Sequence, residues 1–133
     1  MNRITFAVPG KPKGKARPRS SRLSGTMYTP RETLEYEKLV ALSYKAKGGR
    51  MMEGLVAVDI VAQFAPPKSI SKAKKLELLE TKYAGKKPDG DNIAKIVLDG
   101  LNGVAFADDA YVVHLTVTKV YGETDEVTVT VEG

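Results

Sequence analysis

The hydrophobic period changes twice along this chain, and that change limits the fold more than any other feature. Val56, Val58, Ile60, Ala62 and Phe64 alternate through residues 55–64. In an extended strand alternate side chains share a face, so these five look into one core. Over residues 92–104 the spacing becomes helical, with Ile93, Ile96, Val97, Gly100, Leu101 and Val104 at i, i+3, i+4. Residues 111–121 and 126–131 return to alternation. A chain carrying both periods must lay one-sided helices on a one-sided sheet.

Turn and cap residues divide the rest. Residues 3–8 read as a strand that Pro9-Gly10 ends. Residues 9–27 are rich in Pro, Gly, Ser and basic side chains and are expected to form a mobile loop. A first helix is predicted from Thr29 as N-cap, Pro30 at the first helical position and Glu32 closing a capping box. It should run to about Ala46, stop at Gly48-Gly49 and bury a Leu34/Leu39/Leu42 stripe. Tyr28, Tyr36 and Tyr44 recur along one side of it, as core or groove lining. A second helix is predicted over 71–83, capped by Ser71, with Ala73, Leu76, Leu79 and Tyr83 on one face. A third is predicted over 92–102 and stops at Asn102-Gly103. Gly122-Glu123-Thr124-Asp125 suits a hairpin turn between the last two strands. The order is β-α-β-α-α-β-β: an α+β fold, one domain over residues 1–133, with helices packed on a mixed or antiparallel sheet.

Composition excludes several function classes. The chain has 42% hydrophobic and 28% charged residues, so it is globular. It has no cysteine, which removes disulfides, thiol catalysis and Cys-based zinc sites. There is no signal-peptide core after Met1 and no apolar run of membrane-spanning length, so the expected location is cytoplasmic, without membrane contact. Nothing matches a small-molecule cofactor fingerprint. The segment from Gly10 to Ala16 is one residue short of a P-loop and lacks its Ser/Thr.

Charge is unevenly placed in a chain of net charge +5. Residues 1–31 hold eight basic side chains and no acid, and residues 68–87 hold seven lysines against Glu77 and Glu80. Such regions attract phosphate backbones. Residues 88–133 reverse the balance, with nine acids against Lys95 and Lys119. Four of those acids form two tight groups, Asp89/Asp91 and Asp108/Asp109. Grouped carboxylates repel unless a cation lies between them, and Mg²⁺ is commonly held by one or two carboxylates plus phosphate oxygens. Taken singly, Asp91 also suits a helix N-terminus and Asp108-Asp109 suits a turn. Asp91, Lys95 and Asp99 follow at steps of four on one helix face. They can form a salt-bridge ladder, or Lys95 can face a scissile phosphate with Asp99 holding it. His114, the one histidine, reads as an ordinary strand residue. Ser20, Ser21 and Ser24 have no nearby base to make a nucleophile.

Three blocks carry a resemblance: Lys-Pro-Asp-Gly-Asp-Asn-Ile-Ala-Lys (87–95), Leu-Asp-Gly-Leu-Asn-Gly (98–103) and Phe-Ala-Asp-Asp-Ala-Tyr-Val (106–112). In order and spacing the chain resembles the RusA-type Holliday junction resolvases, small phage- and prophage-associated endodeoxyribonucleases. The basic segment from Pro9-Gly10 through Lys15-Ala16-Arg17-Pro18-Arg19 to Tyr28-Thr29-Pro30 is similar to the basic loop of many members. The resemblance implies a homodimer that cuts a four-way DNA junction symmetrically, with one Mg²⁺-dependent site per subunit and Mn²⁺ as a substitute. It implies Asp89, Asp91 and Asp109 as metal-binding carboxylates, Lys95 as the catalytic-site lysine, and Asp99 and Asp108 as supporting acids. Gly90 departs from the bulkier residue that members often carry between the two aspartates. Charge and the loop's resemblance together assign Lys11, Lys13, Lys15, Arg17, Arg19 and Arg22 to DNA phosphate contact. Two other readings stand beside this one: a non-catalytic branched-DNA-binding protein, and a nuclease for other branched DNA.

Overall fold

The computed structural model describes residues 2–133. The elements run β1 (Arg3–Pro9), β2 (Arg19–Ser20), β3 (Met27–Tyr28), α1 (Arg31–Ala46), β4 (Val56–Phe64), α2 (Lys72–Thr81), α3 (Gly90–Leu101), β5 (Val112–Tyr121) and β6 (Glu126–Glu132). Apart from the small β2–β3 hairpin inside the basic segment, this is the order expected, and the class is α+β. No described helix is long and apolar enough to cross a membrane.

The main sheet has the strand order β1-β6-β4-β5. β6 pairs antiparallel with both β1 and β4, and β4 pairs parallel with β5, so the sheet is mixed. The expected hairpin between the last two strands does not form, because β4 lies between them. Residues 122–125 instead cross the end of β4 and satisfy its polar groups. Gly122 N donates to Phe64 O at 3.0 Å, Gln63 Nε2 to Thr124 O at 2.7 Å, and Ala65 N to Asp125 Oδ1 at 2.8 Å. Gly122 lies so close to the Gln63 side chain that a Cβ there would collide with it. The crossing places β6 in an interior slot, where Val127, Val129 and Val131 are fully covered.

One sheet face forms the core. Phe6, Val8, Val58, Ile60 and the three β6 valines pack against Tyr36, Val40 and Tyr44 of α1 and Ile93, Ile96, Val97 and Leu101 of α3. The other face is polar and uncovered by helices. There the Thr5 and Thr130 hydroxyls meet at 3.0 Å, and Thr116 Oγ1 donates to Asp59. His114 is exposed on this face, as an ordinary strand residue should be.

Two helices differ from expectation. Pro30, not Thr29, is the N-cap of α1, and no side chain caps it. Pro30 O accepts from Thr33 N and Leu34 N at 3.1 and 3.2 Å, so no Thr29–Glu32 capping box is made. The buried face of α1 is Thr33, Tyr36, Val40 and Tyr44, whereas Leu34 and Leu42 are 45% and 63% exposed. Tyr44 can be buried whole because its hydroxyl donates to Arg50 O at 2.6 Å. Burial pushes the Tyr36 hydroxyl up to about 12. Tyr28 lies in β3 and is exposed. In α2, Ser71 does cap, accepting from Lys74 N at 3.2 Å, but no α2 residue is buried. The segment after it covers the upper edge of β5, through Ala84 N to Lys119 O at 2.9 Å and Tyr121 N to Lys82 O at 2.7 Å.

α1 and α3 touch at Gly100. A Cβ at that position would lie 2.9 Å from both Glu37 O and the Val40 Cβ. Gly100→Ala must therefore push the helices apart, and overpacking of this kind typically costs about 1–3 kcal/mol. Urea unfolding of Gly100→Ala should show a loss in that range; unchanged stability would mean the two helices are free to separate.

Candidate active site

Pro88 leads the chain into α3, and Asp89 occupies its N-cap in extended backbone geometry (φ −67°, ψ 150°). Asp89 O accepts the first helical bond from Ile93 N at 3.0 Å. The Asp89 carboxylate does not cap the helix but accepts from Lys87 Nζ at 2.8 Å. Asp91 follows in the first turn, and both acids are exposed. Negative charge here is favoured by the partial positive charge of the helix N-terminus. The hydrogen bond from Lys87, its charge and that of Lys119 hold the Asp89 carboxyl below its ordinary range. The same contact raises Lys87.

A second charged group ties three segments together. Asp99 Oδ1 accepts from Lys95 Nζ at 3.0 Å, and Asp99 Oδ2 lies 3.0 Å from Lys15 Nζ. Lys15 Nζ also donates to Glu37 Oε2 of α1 at 2.5 Å. The Lys15, Glu37 and Asp99 side chains are only 20%, 15% and 19% exposed, while Lys95 is 55% exposed. Burial opposes the Lys15 charge, yet the Glu37 and Asp99 carboxylates outweigh it and raise its pKa. Burial likewise opposes the Asp99 charge, and Lys15 and Lys95 outweigh it and lower its pKa. The order Glu37–Lys15–Asp99–Lys95 alternates in sign, and only its last member reaches solvent.

The basic segment is laid onto α3 by its backbone. Lys15 N donates to Asn92 O at 2.8 Å. Gly14 approaches so closely that a Cβ there would meet the Pro88 Cβ at 2.8 Å and the Asn92 Cβ at 3.0 Å. Lys15 therefore points inward and forms an internal ion bridge with Glu37 and Asp99. Lys11, Lys13, Arg17, Arg19 and Arg22 are exposed, and none takes part in an ion pair among the described residues.

Asp108 and Asp109 sit at a 3₁₀ turn over Asp109–Tyr111, with Asp108 at its N-cap. They follow a tight return after α3, closed by Gly103 N to Phe106 O at 2.8 Å. Asp109 thus adjoins the beginning of β5, while Gly90 faces Val117 halfway along it. Among the described residues no three acidic or histidine side chains gather to hold a metal ion. The single chain brings Asp89 and Asp91 to one helix turn and Lys95 and Asp99 to the face below, but does not complete a three-carboxylate centre with Asp109.

Glu37 is the member that the sequence reading passed over. Its signal was present: Thr33, Glu37, Val40 and Tyr44 follow core spacing, so an acid at 37 faces inward and requires a cation.

Removing Lys15 leaves two part-buried carboxylates without their shared cation. Lys15→Met should lose about 1–3 kcal/mol of stability. The sign with pH follows from the two shifts. Asp99 is depressed, so its share is present above its unfolded value and fades as pH falls through the folded one. Lys15 is raised, so its share is present below its unfolded value and fades as pH rises through the folded one. Asp99→Asn should therefore flatten the acid limb of a stability–pH profile. An unchanged limb would remove the bridge as a stabilising element.

A family model described as "Endodeoxyribonuclease RusA" matches residues 9–132. The chain is also 34% identical over 135 residues to "Uncharacterized protein YqaN" of Bacillus subtilis (strain 168), a match covering 97% of this chain and 95% of that one. The family match runs from the end of β1 through the basic segment, the acidic corner of α3 and the whole of β6, and the chain is a member of the RusA endodeoxyribonuclease family.

Proposed function

We propose that this protein is a structure-selective endodeoxyribonuclease that resolves four-way DNA junctions by paired hydrolysis, acting as a homodimer with one site per subunit. The observation that carries the reading is the Asp89/Asp91 corner at the start of α3, set among cationic segments in a chain matched along nearly its whole length by the family.

Two carboxylates on one helix turn fit Mg²⁺, which commonly takes one or two carboxylates and completes its shell with phosphate oxygens. Mn²⁺ would serve in its place. When bound, such an ion lowers the pKa of water and offsets charge on the phosphate. The protein's own groups do the rest. Asp89 and Asp91 would supply the carboxylate ligands for the ion. Lys95, exposed and fixed from behind by Asp99, meets the negative charge that builds on phosphorus oxygens. Water oxygen bonds to phosphorus and gives up one proton as the bond to one sugar oxygen breaks, and the departing sugar oxygen takes up one proton, so that the products are a phosphate monoester and a free hydroxyl. We assign Asp109 to the metal and Asp108 to its support from the resemblance of the Phe106–Val112 block. Lys11, Lys13, Arg17, Arg19 and Arg22 supply phosphate contacts along the junction arms.

One competing reading is a branched-DNA binder without catalysis. Wild type, Asp89→Asn, Asp91→Asn, Asp109→Asn and Lys95→Met should be compared on a synthetic four-way junction with Mg²⁺ and with EDTA. We expect paired symmetric nicks from wild type in Mg²⁺ alone. Each variant should lose about 10²-fold or more in cleavage while keeping junction binding. Equal cutting of three-way, flap and linear DNA would replace junction selectivity with a broader nuclease. Binding without cutting in any divalent metal would establish the binder instead.

A further inference from the structure

A cleft of about 300 Å³ opens where the start of the basic segment, the β4–α2 connection and the approach to α3 meet. Three lysines line it, one from each: Lys11, Lys68 and Lys86. All three are exposed, and none belongs to an ion pair among the described residues. The one acid in the lining is Asp125. Its Oδ1 already accepts from Ala65 N at 2.8 Å, and its carbonyl accepts from Gly10 N at 3.2 Å. Asp125 therefore builds the cleft wall and offsets only part of the cationic charge.

The fold prepares this arrangement before any ligand arrives. Lys86 Nζ stands 5.4 Å from the centroid of the Phe64 ring, a cation–π placement that restricts a flexible side chain. Pro66 and Pro67 stiffen the floor. Ammonium groups drawn together around one opening repel unless an anion joins them. The lining sets three ammonium groups beside the apolar surface of Ala65, Pro66 and Pro67, with the lysine stems lying along it. It suits the phosphodiester oxygens of a polymer passing through.

Its place in the chain puts it beside the acidic corner. Lys86 precedes Asp89 by three residues, so their Cα atoms lie within about 10 Å. We propose that the Lys11/Lys68/Lys86 cleft binds backbone phosphate of junction DNA beside the Asp89/Asp91 turn and so helps to place the bond that is cut. Its part in placing a scissile bond rests on the nuclease reading; the phosphate site itself joins Lys11 of the basic 9–27 segment to Lys68 and Lys86 outside it.

The test is junction affinity against salt, measured on the wild-type protein in EDTA and on Lys11→Ala/Lys68→Ala/Lys86→Ala. A second triple variant, Lys38→Ala/Lys45→Ala/Lys47→Ala on exposed positions in and just after α1, removes equal charge elsewhere. Each lost phosphate contact lowers the slope of log affinity against log salt by about 0.9. The cleft variant should therefore lose up to about 2.7 in slope, and its disadvantage against wild type should shrink about 40-fold between 50 and 200 mM salt. The α1 variant should keep the wild-type slope. A slope loss of about 0.9 or less, which Lys11 alone would account for, or equal losses in both variants, would overturn the proposal. Wild type that binds no DNA overturns the cleft and the nuclease together. Wild type that binds but never cuts when Mg²⁺ is restored, with the slope change present, overturns the nuclease alone and upholds the cleft.

Discussion

The contact between Lys15 and the two carboxylates of Glu37 and Asp99 is the constraint on which the acidic corner depends. It joins the basic segment, α1 and α3 at one point. Removing three charges from water carries a desolvation cost, and only near-complete pairing offsets it. The pairing here is close to complete, since each buried carboxylate oxygen in contact meets a lysine and Lys15 meets two acids. The result is positional more than cohesive. Asp99 is held from the inside by Lys15, so it can hold Lys95 on the outside. Lys15 N on Asn92 O and the close approach of Gly14 to Pro88 keep the same segment against the turn that carries Asp89 and Asp91. One basic residue thereby fixes both the acids and the lysine of the candidate centre without touching solvent chemistry itself.

The sheet supplies the platform. Its covered face is continuous across β1, β6 and β4, and α3 lies over it with its helical stripe fully buried. Gly100 lets α1 approach α3 closely enough for Glu37 to reach Lys15. Small-residue packing and charge pairing are therefore parts of one arrangement. A bulkier residue at 100 would move Glu37 as well as Val40.

The strongest periodicities in the sequence locate the strongest elements. β4 and α3 lie within a few residues of their expected bounds, because five alternating and six helically spaced apolar residues leave each little choice of face. The partners of strands were less legible. Gly122-Glu123-Thr124-Asp125 has hairpin composition, but composition reports only a change of direction, and the gain from placing β6 between β1 and β4 is long-range. The α1 stripe was misread because Leu34 and Leu42 are more hydrophobic than Thr33 and Tyr44, whereas the helix phase is set by what meets Phe6 and α3. Lys15 looked like its neighbours in a basic run. Its distinction is the pair of inward-facing acids far away in sequence, which no local pattern records. The acids at 89 and 91 were legible as a pair on one turn; their relation to Asp109 was not, because the return after Gly103 sets it.

The interior position of β6 has a consequence for synthesis on the ribosome. β1 is made first and pairs in the main sheet only with β6, from Arg3 opposite Glu132 to Pro9 opposite Glu126. Until β6 emerges, β1 has no sheet partner and β4 has one open edge. Contacts this distant in sequence slow folding, because the chain must close a long loop before any of them forms. The β1 side of the sheet is thus the last to be completed. A nascent chain halted anywhere before Glu126 presents a basic arm and an acidic turn that are not yet mounted on a finished sheet.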